Sequence, residues 1–204
     1  MPSVKICGIT NLDDAALAVE LGAEYLGFIF AESPRQIQAA DARLIRRKLA
    51  DKVKFVGVFR NQDSRLVGDT ADALRLDFIQ LHGEESPDYC RQISHPIIKT
   101  FEVNENCEIQ GDPASYSVQA YLFDRAKSQA ADSSWIEKVA ALQTADWQRW
   151  QPFFIAGGIT AENLEHALKL APFAIDLASG VESSPGLKDP EKLKEFFRKL
   201  QGAS

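Results

Sequence analysis

Val4-Lys5-Ile6-Cys7-Gly8-Ile9-Thr10 reads as a short strand running into a turn, with a helical pattern starting at once from Asn11. Side chains alternate between the two faces of a strand. Lys5 and Cys7 therefore share one face, and Val4 and Ile6 share the other. Leu12, Ala15, Ala16, Val19 and Ala23 recur at helical spacing behind Asn11 as a candidate N-cap, with Gly22 as the stop. A strand feeding a helix through a short loop opens a β/α unit, and ligands of such units bind outside the carboxyl end of the strand. A thiol, Cys7, stands at that end.

The same unit recurs along the chain. Tyr25-Leu26-Gly27-Phe28-Ile29-Phe30, Phe55-Val56-Gly57-Val58-Phe59, Phe78-Ile79-Gln80-Leu81-His82-Gly83 and Ile97-Ile98-Lys99-Thr100-Phe101 read as the second to fifth strands. Tyr121-Leu122-Phe123-Asp124, Phe153-Phe154-Ile155-Ala156 and Ala174-Ile175-Asp176-Leu177 complete the set. Such nearly continuous apolar runs suit parallel strands covered by helices on the outside. Helices are expected over 39–50, with Leu44, Ile45 and Leu49 on one face, and over 66–74. Others are expected from Ser86-Pro87 onward, over 135–142, over 161–170 behind a Thr160 cap, and over 191–200. Residues 104–117 read as a loop with at most a short helix. Eight strands in 204 residues, without room for an extra domain, favour a single closed (β/α)₈ barrel over 1–204 against an open doubly wound sheet.

A net charge of -6 argues against a nucleic-acid backbone as partner. No apolar run approaches the roughly 20 residues of a membrane-spanning helix, and the first residues lack a basic-then-apolar export signal. Cys7, Cys90 and Cys107 are odd in number and show neither metal-knuckle nor CxxC spacing. The chain is thus expected to be a soluble cytoplasmic protein of a reducing compartment. Charged helix faces such as Arg43-Arg46-Arg47 point to a monomer or weak homodimer.

In a barrel, functional groups gather where strands end. Those ends carry Cys7, Ser33-Pro34-Arg35, Arg60, His82, Asp124, Gly157-Gly158 and Ala178-Ser179-Gly180. The two glycine-bearing turns after strands seven and eight read either as tight turns or as an anion seat, because bare backbone amides attract anions. Cys7 is either a small buried hydrophobe or a reactive thiol that needs a positive neighbour. Asp124 is either a helix cap or an acid facing Cys7 across the opening, since an unpaired carboxylate is costly to bury. Asp176 faces inward by alternation, and strands one and eight are neighbours in a closed barrel. A Lys5–Asp176 pair near Cys7 is therefore expected, structural or functional. Arg35 is either a solvated loop arginine or a planar clamp for a carboxylate or phosphate. His82 shares the inward face of Gln80. Metal-ligand spacing and a dinucleotide fingerprint are both missing.

With these ends assembled, the chain resembles the phosphoribosylanthranilate isomerase family of tryptophan biosynthesis. The matching stretches are the opening heptapeptide, Gly27-Phe28-Ile29-Phe30 with Ser33-Pro34-Arg35, Val56-Gly57-Val58-Phe59 and Ile79-Gln80-Leu81-His82-Gly83. They continue with Leu122-Phe123-Asp124, Ala156-Gly157-Gly158-Ile159, and Ala178-Ser179-Gly180-Val181-Glu182 leading to Pro185-Gly186-Leu187-Lys188-Asp189. The resemblance implies a cofactor-free Amadori rearrangement of a small phosphorylated substrate, with Asp124 as general acid and Cys7 as general base. It also implies an anthranilate contact from Arg35 and a phosphate site at Gly157, Gly158, Ser179 and Gly180; His82, read from alternation alone, is either a hydrogen-bonded core histidine or a substrate contact. One departure stands out. The family carries Gly-Gly-Thr/Ser-Gly between the aspartate and a tryptophan, whereas residues 125–134 here contain no glycine, and either Trp135 or Trp147 corresponds to that tryptophan. Such a loop is expected to be stiffer or to close by another route. A barrel that binds a phosphoribosyl ligand without turning it over is the alternative, and another phosphosugar barrel enzyme would want catalytic lysines or paired histidines that are not found.

Overall fold

The computed structural model describes residues 1–126, 135–142 and 147–203. Eight parallel strands close on themselves in chain order: β1 (Ser3–Cys7), β2 (Tyr25–Ile29), β3 (Lys54–Phe59), β4 (Phe78–Leu81), β5 (Ile97–Val103), β6 (Ala120–Arg125), β7 (Phe153–Ile155) and β8 (Ala174–Leu177). Between and after them lie α1 (Leu12–Leu21), α2 (Ala39–Lys48), α3 (Ser64–Leu74), α4 (Pro87–Cys90), α5 (Trp135–Leu142), α6 (Leu164–Lys169) and α7 (Pro190–Gly202). The expected barrel is the observed one. Among the described residues, no helix is long and apolar enough to cross a membrane.

Local chemistry sets the helix ends. The Asn11 side chain accepts from the Asp14 amide, and Gly22 closes α1 in the left-handed region at φ 112°. Asp63 and Asp189 cap α3 and α7 in the same way. The barrel closes by pairing β1 with β8, in a register that sets Lys5 opposite Asp176. Tyr25, Val56, Ile98, Leu122 and Phe154 fill the interior. Tyr25 meets Phe78 and Phe154 edge-on with centroids 5.9 and 5.5 Å apart. These rings pack inside the barrel near the starts of β2, β4 and β7, away from the strand ends where ligands of such barrels bind.

Two expectations need correction. The helix expected over 161–170 starts at Leu164 instead. The Asn163 side chain takes the Thr160 amide at 2.8 Å and donates to the Gly158 carbonyl at 3.1 Å, which ties residues 160–163 into a turn under the glycine pair. Leu44 is exposed, because α2 buries Ala42 and Ile45. After β8 the chain also forms an unforeseen antiparallel hairpin, β9 (Glu182–Ser184) and β10 (Leu187–Lys188), turning at Gly186 with φ +83°.

Candidate active site

Inward-facing residues at the strand ends converge on one open cavity of about 340 Å³. Cys7, Arg35, Arg60, His82 and Asp124 line it, together with Gly157, Gly158 and Ser179. Cys90 and Cys107 do not. The sulfur and the carboxyl group expected to face one another therefore share a single opening.

On the thiol side, Lys5 Nζ lies 2.8 Å from Asp176 Oδ2, so the expected pair forms. Room for it comes from Gly27. A Cβ there would sit 2.8 Å from Cys7 Sγ and 3.2 Å from Lys5 Nζ. Burial pushes the Cys7 thiol above its ordinary value; the positive charges of Lys5 and Lys188 pull the other way, and the Asp176 charge adds to the rise. Burial works against the Lys5 charge, yet Asp176 and Cys7 together hold its ammonium above the usual lysine value. The net direction favours the neutral thiol over the thiolate. Among the described residues, the second Asp176 oxygen, Oδ1, is buried without a hydrogen-bond partner, and so is Gln80 Oε1. Both residues line the cavity.

On the acid side, Asp124 Oδ2 is 3.5 Å from His82 Nε2. The Gln80 amide nitrogen lies 3.2 Å from His82 Nδ1 and 3.4 Å from Thr100 Oγ1. Asp124 lies against the turn after β7: a Cβ on Gly157 would come within 2.9 Å of its Oδ1 and 2.8 Å of the Arg125 amide nitrogen. Gly157 sits at φ +100°, where a side chain would also be strained. Trp135 donates its indole N–H to the Gly157 carbonyl. Trp147, in contrast, packs on Phe123 in the core with centroids 4.7 Å apart. Trp135 is thus the tryptophan at the mouth. The expectation drawn from the glycine-free loop falls mostly on residues 127–134, which lie outside the described residues.

Gly157, Gly158 and Ser179 border the mouth, whereas Gly180 lines a neighbouring cavity of about 250 Å³ with Ser179, Thr160 and Lys192. A Cβ on Gly180 would run into the Ile159 carbonyl, so the turns after β7 and β8 press against each other. A Cβ on Gly158 would meet nothing within 4 Å, leaving open space above this turn.

Arg35 is not a solvated loop arginine. Its Nε donates to both Glu182 oxygens at 2.9 and 3.0 Å, and Nη2 donates to Oε2 at 2.7 Å. Gly8, at φ +74°, lets the arginine stem lie close, since a Cβ there would be 2.9 Å from Arg35 Cδ. Burial works against the Glu182 charge, but Arg35 and Lys188 hold its carboxyl below the usual range. Sequence reasoning assigned no role to Gln80, Glu182 or Lys188. Alternation with His82 pointed inward for Gln80, but no spacing rule connects the hairpin to the loop after β2.

The family model described as N-(5'phosphoribosyl)anthranilate (PRA) isomerase matches residues 4–199. The N-(5'-phosphoribosyl)anthranilate isomerase of Citrifermentans bemidjiense is 44% identical, over 97% of this chain and 96% of its own. The phosphoribosyl anthranilate isomerase structure from Thermus thermophilus superposes with a TM-score of 0.84 at 40% identity, covering 99% of this chain and 100% of the other. A further isomerase structure holds reduced 1-(o-carboxyphenylamino)-1-deoxyribulose 5-phosphate; it matches with a TM-score of 0.81 at 33% identity over 99% of this chain and 100% of its own. Matched in sequence and in barrel over almost its full length, the chain belongs to the N-(5'-phosphoribosyl)anthranilate isomerase family, enzymes of tryptophan biosynthesis.

Proposed function

We propose that this chain converts N-(5'-phosphoribosyl)anthranilate to 1-(2-carboxyphenylamino)-1-deoxyribulose 5-phosphate, with Asp124 as general acid and Cys7 as general base. The observation carrying this reading is that both groups, from β1 and β6, line one cavity. Asp124 gives its proton to the furanose ring oxygen as the C1–O bond breaks, leaving an open-chain Schiff base. The Cys7 thiolate then removes the C2 proton, and the electron pair moves to the nitrogen. The resulting enolamine tautomerises to the aminoketose, so no cofactor enters the balance.

Arg35 is assigned to the anthranilate carboxylate, and His82 to the substrate's acid side beside Asp124. Gly157, Gly158, Ser179 and Gly180 are assigned to the phosphate, supported by the open space over Gly158 and the close approach of the two turns. The unpartnered Asp176 Oδ1 and Gln80 Oε1 are acceptors suited to sugar hydroxyls. We read the chain as one barrel domain over 1–204, acting in the cytoplasm as a monomer or weak homodimer.

Fluorescence-monitored turnover tests the assignment. Cys7→Ser and Asp124→Asn are each expected to lose about 10²–10⁴-fold, the usual contribution of a general acid or base. Losses under about tenfold in both would remove them from the mechanism. Ligand-induced stabilisation without product would favour a binding protein instead.

A further inference from the structure

Arg35 approaches the mouth from the loop after β2, but what holds it comes from the opposite end of the chain. Glu182 takes its Nε and one face of Nη2 in a bidentate grip. Lys188, across the hairpin, donates to Glu182 Oε1 at 2.9 Å and to the Cys7 backbone carbonyl at 2.6 Å. The side chains of Glu182 and Lys188 are 4% and 0% exposed, and that of Arg35 is 23% exposed. The Gly186 amide also donates to Glu182 Oε1 at 3.2 Å, which fixes the carboxylate from the turn of the hairpin.

We propose that Glu182 and Lys188 are positioning residues that tie the Arg35 guanidinium to the strand end carrying Cys7, so that the hairpin after β8 sets how the substrate's aromatic carboxylate is held relative to the base. This rests on the assignments of Arg35 and Cys7 made above.

A carboxylate on Arg35 offsets its charge, which alone would weaken attraction for an anionic ligand. Lys188 returns the positive charge, so the three-residue cluster keeps a net charge of +1 when its members are ionised. What the cluster adds is direction: with Nε occupied, the planar fork can offer only its remaining N–H groups to a ligand, from one fixed side. Buried salt bridges of this kind are better attested as devices for specificity than for stability. The Lys188 contact with the Cys7 carbonyl means that a shift of the hairpin moves clamp and base together.

The test compares two ligands with two variants. One ligand is the reduced product analogue bearing the ring carboxylate; the other is the same molecule with aniline in place of anthranilate. The wild type is expected to bind the carboxylated analogue more tightly. Arg35→Met should abolish that preference, and Glu182→Gln should cut it about tenfold or more while leaving affinity for the aniline analogue unchanged, since small misplacement of a positioning group carries losses of this order. In turnover, Glu182→Gln should raise KM more than it lowers kcat, and Glu182→Asp should restore part of the loss. Equal weakening toward both analogues would reduce Glu182 to a structural residue and overturn the proposal. If Glu182→Gln keeps the full preference while Arg35→Met loses it, the proposal falls and the Arg35 assignment stands. If Arg35→Met keeps the preference, the Arg35 assignment itself fails.

Lys188→Met supplies a second readout. The charged groups around the Cys7 sulfur are Lys5 on its own strand, Asp176 on β8, Arg35 after β2 and Lys188 from the hairpin. Removing the Lys188 charge should move the rising limb of kcat/KM, which the thiol sets, to higher pH; an unmoved limb would detach the hairpin from the base.

Discussion

Two of the buried lysine–carboxylate pairs in this barrel, Lys99–Glu85 and Lys5–Asp176, differ in how completely they are satisfied. Lys99 lies 3.1 Å from Glu85 Oε2, and it also donates to the carbonyls of Gly83 and Thr100 at 2.7 and 3.3 Å. Glu85 in turn accepts from the backbone amides of Asn61 and Gly83. Every strong group of that cluster is used in fastening the exit of β4 to its neighbours. Lys5 and Asp176 are as close, at 2.8 Å, yet Asp176 Oδ1 is left without a partner beside the cavity and the ammonium stands near Cys7. A saturated buried pair serves the fold. The unsaturated one leaves an acceptor oxygen on the cavity and places its charges beside the Cys7 thiol.

Removing either lysine breaks this comparison most severely. Lys5→Met and Lys99→Met are each expected to cost about 3–5 kcal/mol, because an uncompensated buried carboxylate is left behind. Urea unfolding midpoints would measure this. Turnover per folded molecule should separate them: Lys99→Met keeps it and Lys5→Met does not. Equal losses would erase the distinction drawn between the two pairs.

The next effect is the pH dependence of the wild type. Since burial holds the Cys7 thiol protonated, kcat/KM should rise about tenfold per pH unit on the neutral side, levelling only above the ordinary thiol value near 8.5. The same titration has a stability sign. The raised folded-state value stabilises the protein below the unfolded thiol's pKa, and that contribution fades as pH rises through the folded value. A flat profile from pH 6 to 9 would exclude thiolate chemistry at Cys7.

Asp176→Asn separates the two pairs by charge alone. Its charge raises the Cys7 thiol, and without it Lys5 is released to stabilise the thiolate. The rising limb set by the thiol should then move to lower pH, since a close negative charge has been removed. Glu85→Gln should leave the limb where it is. The smallest effect is at Glu182, whose carboxyl is held below the usual range. That interaction stabilises the fold above the ordinary carboxylate range and is lost as pH falls through the folded-state value. Wild type should exceed Glu182→Gln by about 2–4 °C in Tm near neutrality, with the gap closing on acidification.

Much of the site could be read from single stretches. Alternation in the opening strand set Lys5 and Cys7 on one face, and closure of eight strands brought Asp176 opposite Lys5 although the two are 171 positions apart. Asp124 was legible because an acid ending an apolar strand has few inexpensive places to go. The start of α6 was not legible, since Asn163 had to choose between continuing a helix and bonding back to Gly158. Nor was the engagement of Arg35, where the residues in contact are 147 positions apart and belong to different loops.

Periodicity and strand-end placement act over a few residues, so the sequence by itself determined the barrel, its open end and the presence of a thiol and an acid there. Charge neutralisation and hydrogen-bond saturation depend on which loops meet once the ring has closed. Only the tertiary structure could therefore decide that Glu182 grips Arg35, that Lys188 holds the Cys7 strand end, and that burial outweighs Lys5 in setting the thiol's proton.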